Sequence, residues 1–216
     1  MYRIRCLYSK KDKAACISHL DFMSTIQRSL IRAGVKLIYT KGFNPHPYIS
    51  IALPLSVGVE SECELLDVEL TGNSLPKNIN NFMPDGVEIH RTYISARKFS
   101  NIQWVDVTIE FIYDFNDDEK AKYSKKLLKT FSADSLIINK KSKSGIKSTD
   151  IAPFIKDVNF SCEENIVMTA KLSAQNPTIG YNDIVQVFIE NNDVPTPDLI
   201  KMKRIAIYDK DMILFK

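Results

Sequence analysis

The sequence predicts an α+β protein built from two ferredoxin-like (βαββαβ) halves in tandem, each with an antiparallel sheet. Three observations predict it. Tyr2 to Tyr8 and Trp104 to Phe115 each alternate apolar and polar side chains over the length of a strand. Each is followed by a capped segment of helical period, and after Ser100-Asn101 the order of element types starts again. The halves are placed at 1–100 and 101–216.

In the first half, Tyr2, Ile4, Cys6 and Tyr8 share one side of a strand and Arg3 and Arg5 the other. Lys10 to Ala14 reads as a polar turn. Ser18 opens a helix, with Asp21 as its capping partner and Phe22, Met23, Ile26, Leu30 and Ala33 as its apolar stripe, and Gly34 closes it. Val35–Tyr39, Tyr48–Leu55, Cys63–Leu70 and Val87–Ala96 read as strands, with a short helix over Pro76–Met83. The order is β-α-β-β-β-α-β, a ferredoxin-like unit with one additional β segment.

In the second half, Asn116 or Asp117 caps a helix that runs to about Phe131, buried through Tyr123, Leu127, Leu128 and Phe131. Leu136–Ile138 is a short strand, and Asn139–Thr149 reads as a polar, basic loop that lacks the glycine pattern of a phosphate-binding loop. β or turn structure follows to Leu172. Tyr181–Glu190 is helical through Ile184, Val185 and Phe188, and Leu199–Tyr208 with Met212–Phe215 forms a closing hairpin.

With 216 residues, 44% apolar content and a net charge of +3, the chain supports a substantial core. No run of roughly 18 uncharged apolar residues exists, and the basic N-terminus lacks the apolar stretch of a signal peptide, so a cytoplasmic protein without a membrane role is expected. Cys6, Cys16, Cys63 and Cys162 are too widely spaced for a zinc knuckle or an iron–sulfur cluster, and no metal or cofactor is expected of this chain alone. Charge is unevenly spread. Residues 1–41 carry nine Lys or Arg against Asp12 and Asp21, and residues 120–147 carry nine Lys against Asp134, a distribution suited to an anionic partner.

The segment Gly42-Phe43-Asn44-Pro45-His46-Pro47 has the composition of a site. Two prolines fix φ near −65° and push Asn44 and His46 towards extended backbone, so the imidazole is held at low entropic cost. His46, His19 at the helix entrance and Asp21 have the chemistry of an acid/base set, a weak metal site or phosphate donors at a helix N-terminus. A metal would need a third ligand, from Glu60, Glu64 or Asp67. Those acids are equally suited to pairing with Arg28 or Arg32, two like charges four residues apart on one helix face. His90, on an alternating strand, reads as structural.

Ile17-Ser-His-Leu-Asp-Phe-Met23, Arg28, Arg32-Ala-Gly34, Gly42-Phe-Asn-Pro-His-Pro47, Pro54-Leu-Ser-Val-Gly58, Glu60-Ser61 and Asp67 together resemble the radical-SAM-linked protein family, an uncharacterised bacterial domain. The resemblance covers essentially the whole chain, with its specific motifs within residues 17–67. It implies a partner, a cobalamin-binding radical SAM protein, and an RNA setting, with this chain as the stand-alone form; it carries over no catalytic residues.

Three functions follow as expectations. The first is a non-catalytic accessory protein that binds tRNA or rRNA for the radical SAM partner, with Arg28, Arg32, Lys36 and Lys41 on phosphate, Phe43 stacking a base, and Asn44 and His46 beside it. The second is an RNA-processing or nucleotide-modifying enzyme using His19, Asp21 and His46. The third is a scaffold whose proline loop docks the partner enzyme. The first two require His19, His46 and the arginines to converge on one recess.

Overall fold

The computed structural model describes residues 2–142, 145–162, 164–191 and 195–215. The fold is α+β, and the chain divides after Asn101 into two compact units.

The first unit runs β1 (Tyr2–Lys10), α1 (Asp12–Ala15), α2 (His19–Arg32), β2 (Ile49–Ile51), β3 (Glu60–Leu70), a 3₁₀ turn (Ile79–Phe82) and β4 (Val87–Tyr93). Its strands lie in the order β4-β1-β3-β2 with every neighbour antiparallel, which is the ferredoxin-like arrangement. The helix expected over Pro76–Met83 shrinks to that single turn, which stops at Met83, extended ahead of Pro84, and the Asn80 side chain ties it to β4. Its amide donates to the carbonyl of Ile89 at 2.9 Å and its Oδ1 accepts from Ile89 N–H at 2.8 Å. Val35–Tyr39, expected as a strand, makes only the isolated bridges Leu37 to Leu70 and Tyr39 to Pro47.

Helix α2 begins where Ser18 caps it. The Ser18 hydroxyl accepts from Asp21 N–H at 3.3 Å and donates to the Asp21 carboxylate at 2.7 Å. Phe22, Ile26 and Leu30 then pack on Ile4, Cys6 and Tyr8 of β1 and on Leu66, Val68 and Leu70 of β3. Each such side chain contributes roughly 1.5–3 kcal/mol on burial. Lys10–Ala14, expected as a turn, instead completes β1 and starts α1. Gly86 closes against it: its φ is +83°, and a Cβ there would lie 2.3 Å from the carbonyl oxygen of Lys11. Only glycine fits.

The second unit runs β5 (Ile102–Ile112), α3 (Asp117–Phe131), β6 (Ile137–Ser142), β7 (Gly145–Asp150), β8 (Ile155–Cys162), β9 (Ile166–Ser173), α4 (Tyr181–Glu190) and β10 (Leu199–Asp209). The main sheet order β10-β5-β9-β8 repeats the pattern of the first unit. A reciprocal cap between Asn116 and Glu119 starts α3. Phe111 is fully buried, with ring centroids of Phe188, Phe160 and Phe131 at 5.2, 6.3 and 6.4 Å. In α4 it is Val187, rather than the expected Val185, that joins Ile184 and Phe188 in the core.

The basic stretch 139–149, expected as a loop, is a separate hairpin of β6 and β7. Backbone and side-chain partners explain it: both Glu190 carboxylate oxygens accept from Asn139 N–H, at 2.9 and 3.0 Å, and Lys140 Nζ meets Asp183 at 2.9 Å. Lys143 and Ser144, part of that expected loop, lie outside the described residues.

In each unit the helices cover one sheet face, and the other face carries a cross-strand ion pair. In the first, Arg5 on β1 faces Asp67 on β3; in the second, Asp106 on β5 faces Lys171 on β9.

Candidate functional site

The two stretches singled out by sequence do not meet. His19 is the first residue of α2 and is exposed; it lines a small recess with Tyr8, Lys10, Phe22, Ile51, Pro54, Leu55 and Glu64. His46 is also exposed and lies in the loop that hangs from Tyr39 and Pro47, at the level where Tyr48 pairs with Glu69. Glu64 and Glu69 are five residues apart on one strand, roughly 17 Å at about 3.3 Å per residue. The expected shared recess of His19 and His46 is therefore replaced by two separate places.

The first place joins the Ser-His-Leu-Asp and Pro-Leu-Ser-Val-Gly motifs. Tyr8 and Glu64 are directly opposite on β1 and β3, and both are buried beneath the entrance of α2. Lys10 is 2% exposed; its ammonium donates to the carbonyl of Ile17 at 2.9 Å and lies 4.9 Å from the Phe22 ring centre. Burial pushes the Lys10 pKa down, and the Glu64 carboxylate draws it part of the way back. The space enclosed is about 10 Å³, room for about one water molecule. Lys10 and Glu64 are both buried beneath the helix entrance, on the inner side of this recess. Asp21 is held by Ser18 rather than by either histidine.

The carboxylates named as metal ligands or arginine partners have other employment. Glu60 accepts from Asp12 N–H at 2.9 Å, and Asp67 is bound by Arg5. Among the described residues no group of three His, Cys, Asp or Glu is placed to hold a metal.

The second place is the loop between Tyr39 and Pro47. The hydroxyl of Thr40 accepts from His46 N–H at 2.9 Å, and the carbonyl of His46 accepts from Thr40 N–H at 2.8 Å, closing the loop at its base. Gly42 has a φ of +132°, a value that side chains disfavour. The loop ends in Phe43, whose ring is fully exposed, with Lys41 and Asn44 exposed beside it. The chain entering it carries Lys36, also exposed, four residues beyond the end of α2. Arg28 is exposed on α2, and among the described residues Arg28, Lys36 and Lys41 have no ion-pair partner. Arg32 differs: its guanidinium donates to Ser29 Oγ and to the carbonyl of Phe82, both at 3.1 Å, which ties it to the protein surface.

Sequence reasoning missed Lys10 and Arg5, both 2% exposed. The signal was present for Lys10, which continues the even-numbered parity of Tyr2, Ile4, Cys6 and Tyr8 and so points into the core. For Arg5 it lay in the matching parity of Asp67 and Glu69.

A family model described as an uncharacterized protein conserved in bacteria (DUF2344) matches residues 3–180. No curated protein matches the sequence. Among solved structures, the chain is similar to one in a crystal structure of a Cbf5-Nop10-Gar1 complex, at 9% identity and a TM-score of 0.45. That match covers 95% of this chain and 49% of the other, so the chain spans about half the length of that one. No helix among the described residues is long and apolar enough to cross a membrane.

Proposed function

We propose that the chain, which belongs to the bacterial family DUF2344, is a non-catalytic accessory protein that binds tRNA or rRNA and presents it to a radical SAM/cobalamin enzyme in the cytoplasm. The observation that carries the reading is Phe43, an aromatic ring fully exposed at the end of a proline-stiffened loop with Lys41 beside it. A ring in that position has no packing role. It does offer a π face to an unpaired base, an interaction of about 1–3 kcal/mol, and the closed base of the loop keeps the ordering cost low. Arg28, Lys36 and Lys41 supply cations for phosphate. The partner enzyme enters from the resemblance of the motifs in residues 17–67. The separation of His19 from His46 takes the expected shared recess from both the RNA and the enzyme readings, and the RNA reading is supported here by the Phe43 loop and its exposed cations alone.

Filter binding of the purified protein to total tRNA at about 50 mM and about 200 mM salt tests the proposal. Affinity falls with salt, Phe43→Ala weakens binding by about tenfold, and Lys36→Ala with Lys41→Ala flattens the salt dependence. Absent affinity, or affinity indifferent to salt, overturns it. Co-purification of the radical SAM enzyme that is lost in Phe43→Ala while tRNA binding persists also overturns it, making the loop a protein-docking element.

A further inference from the structure

The helix-free face of the first sheet holds a recess of about 310 Å³, which the sequence motifs reach only through Pro47 and Asp67. Its floor is two cross-strand ion pairs. Arg3 reaches Glu69 at 2.9 Å, and Arg5 grips Asp67 through Nε at 2.7 Å and Nη2 at 2.9 Å. Arg5 also fastens the segment after β4 across the sheet: Nη1 donates to Ser95 Oγ at 3.0 Å, Nη2 donates to the carbonyl of Arg97 at 2.8 Å, and the guanidinium lies 4.3 Å from the Phe99 ring centre. Residues 95–99 thus make one wall, and Tyr48 and Ser50 stand on the other.

Charge and shape narrow what such a recess takes. Arg3 and Arg5 are offset by Glu69 and Asp67, which leaves Arg97 and Lys98 as an excess of two positive charges at the rim. Lys98 is exposed and has no ion-pair partner among the described residues; Arg3 binds Glu69 through Nε and Nη2, and its side chain is still 59% exposed. Tyr48, 44% exposed, presents an aromatic surface, and Ser50 adds a hydroxyl. The volume sits at the small end of ligand pockets, roughly 300–1,000 Å³. A buried ion pair is an expensive way to gain stability, and here the buried Arg5–Asp67 pair holds a wall in place.

We propose that this recess binds a single nucleotide, with its phosphate on Lys98 and Arg3 and its base against Tyr48. In the RNA-binding reading, on which this second step rests, it is where one unpaired nucleotide of the bound RNA is held, while Phe43 and its lysines hold the flanking strand.

Calorimetric titration with the four nucleoside 5′-monophosphates, with inorganic phosphate and the unphosphorylated nucleosides as reference probes, tests it on the full chain. Tyr48→Ala and Lys98→Glu alter only exposed rim residues, and their melting temperatures confirm folding. At least one monophosphate binds at about 1 mM or below, its nucleoside binds at least tenfold more weakly, and both variants weaken the monophosphate at least tenfold. No binding by any monophosphate, equal binding of inorganic phosphate, or indifference to both variants overturns the recess. Filter binding to tRNA run in parallel keeps the two proposals apart. Retained tRNA affinity without monophosphate binding overturns the recess alone; monophosphate binding without tRNA affinity supports the recess and overturns the RNA reading.

Discussion

Arg5 and Asp67 stand directly opposite one another on β1 and β3 and share a two-pronged ion pair, with only 2% and 7% of their surfaces exposed. Breaking such a pair leaves a charge in a dry environment. Arg5→Met is expected to cost about 3–5 kcal/mol in urea unfolding, and Arg5→Met with Asp67→Leu less, because the orphaned carboxylate is gone. A double variant as unstable as the single one would contradict this account.

Cys6 lies beneath α2 with no exposed surface. Burial first, and the Asp67 carboxylate second, push its thiol from 9.0 up to about 12. The unfolded thiol loses its proton near 9.0 while the folded one keeps it, so the folded state binds more protons between those values. Stability is therefore full below pH 9.0 and falls as pH rises towards 12. Tyr113, raised by burial, acts in the same direction, and Lys10, lowered by burial, opposes it. Urea midpoints measured across this range should decline less steeply in Cys6→Ala than in the parent; parallel curves would refute the assignment.

At Gly86 the positive φ and the 2.3 Å approach of a Cβ to the Lys11 carbonyl act together. Gly86→Ala should lower stability by more than about 1 kcal/mol, whereas Gly42→Ala, which meets no atom within 4 Å, pays only for its backbone angle. Comparing their thermal midpoints checks the difference.

Two phenylalanines provide a contrast between fold and function. Phe22 is 2% exposed and stacks on Tyr8 at 5.8 Å, so Phe22→Ala should cost about 3–5 kcal/mol. Phe43→Ala should leave the unfolding midpoint unchanged within about 0.5 kcal/mol, its effect appearing only in ligand binding. A large loss of stability at Phe43 would mean that its ring packs against the protein.

The fold was legible because long amphipathic elements carry their period in the side chains themselves. The helix entered at Ser18 and the strand through Phe111 show it, since cap, stripe and alternation agree. Short pairings were not legible: β2 has three residues, and Val35–Tyr39 makes only two bridges, because neighbouring backbone rather than its own side chains decides its state. The β6–β7 hairpin was hidden by its polar, basic sequence, and the partners of Asn139 and Lys140 come from α4, more than 40 residues away. The site was legible only in parts. Proline stiffening marked the His46 loop and capping marked His19, but their separation depends on where each motif falls along β3, which no local pattern encodes. Arg5 was obscure for a related reason, since its partners Ser95 and Arg97 lie 90 and 92 residues away.

The reversed polarity of the two cross-strand pairs bears on how a duplicated chain avoids tangling with itself. Because the halves share a topology, β1 could in principle add to β9, and β5 to β3, while the chain is still forming. The first mistake would set Arg5 against Lys171, and the second would set Asp106 against Asp67, cation on cation and anion on anion. Like charges opposed across a ladder repel, so each half carries a lock that the other's key does not turn.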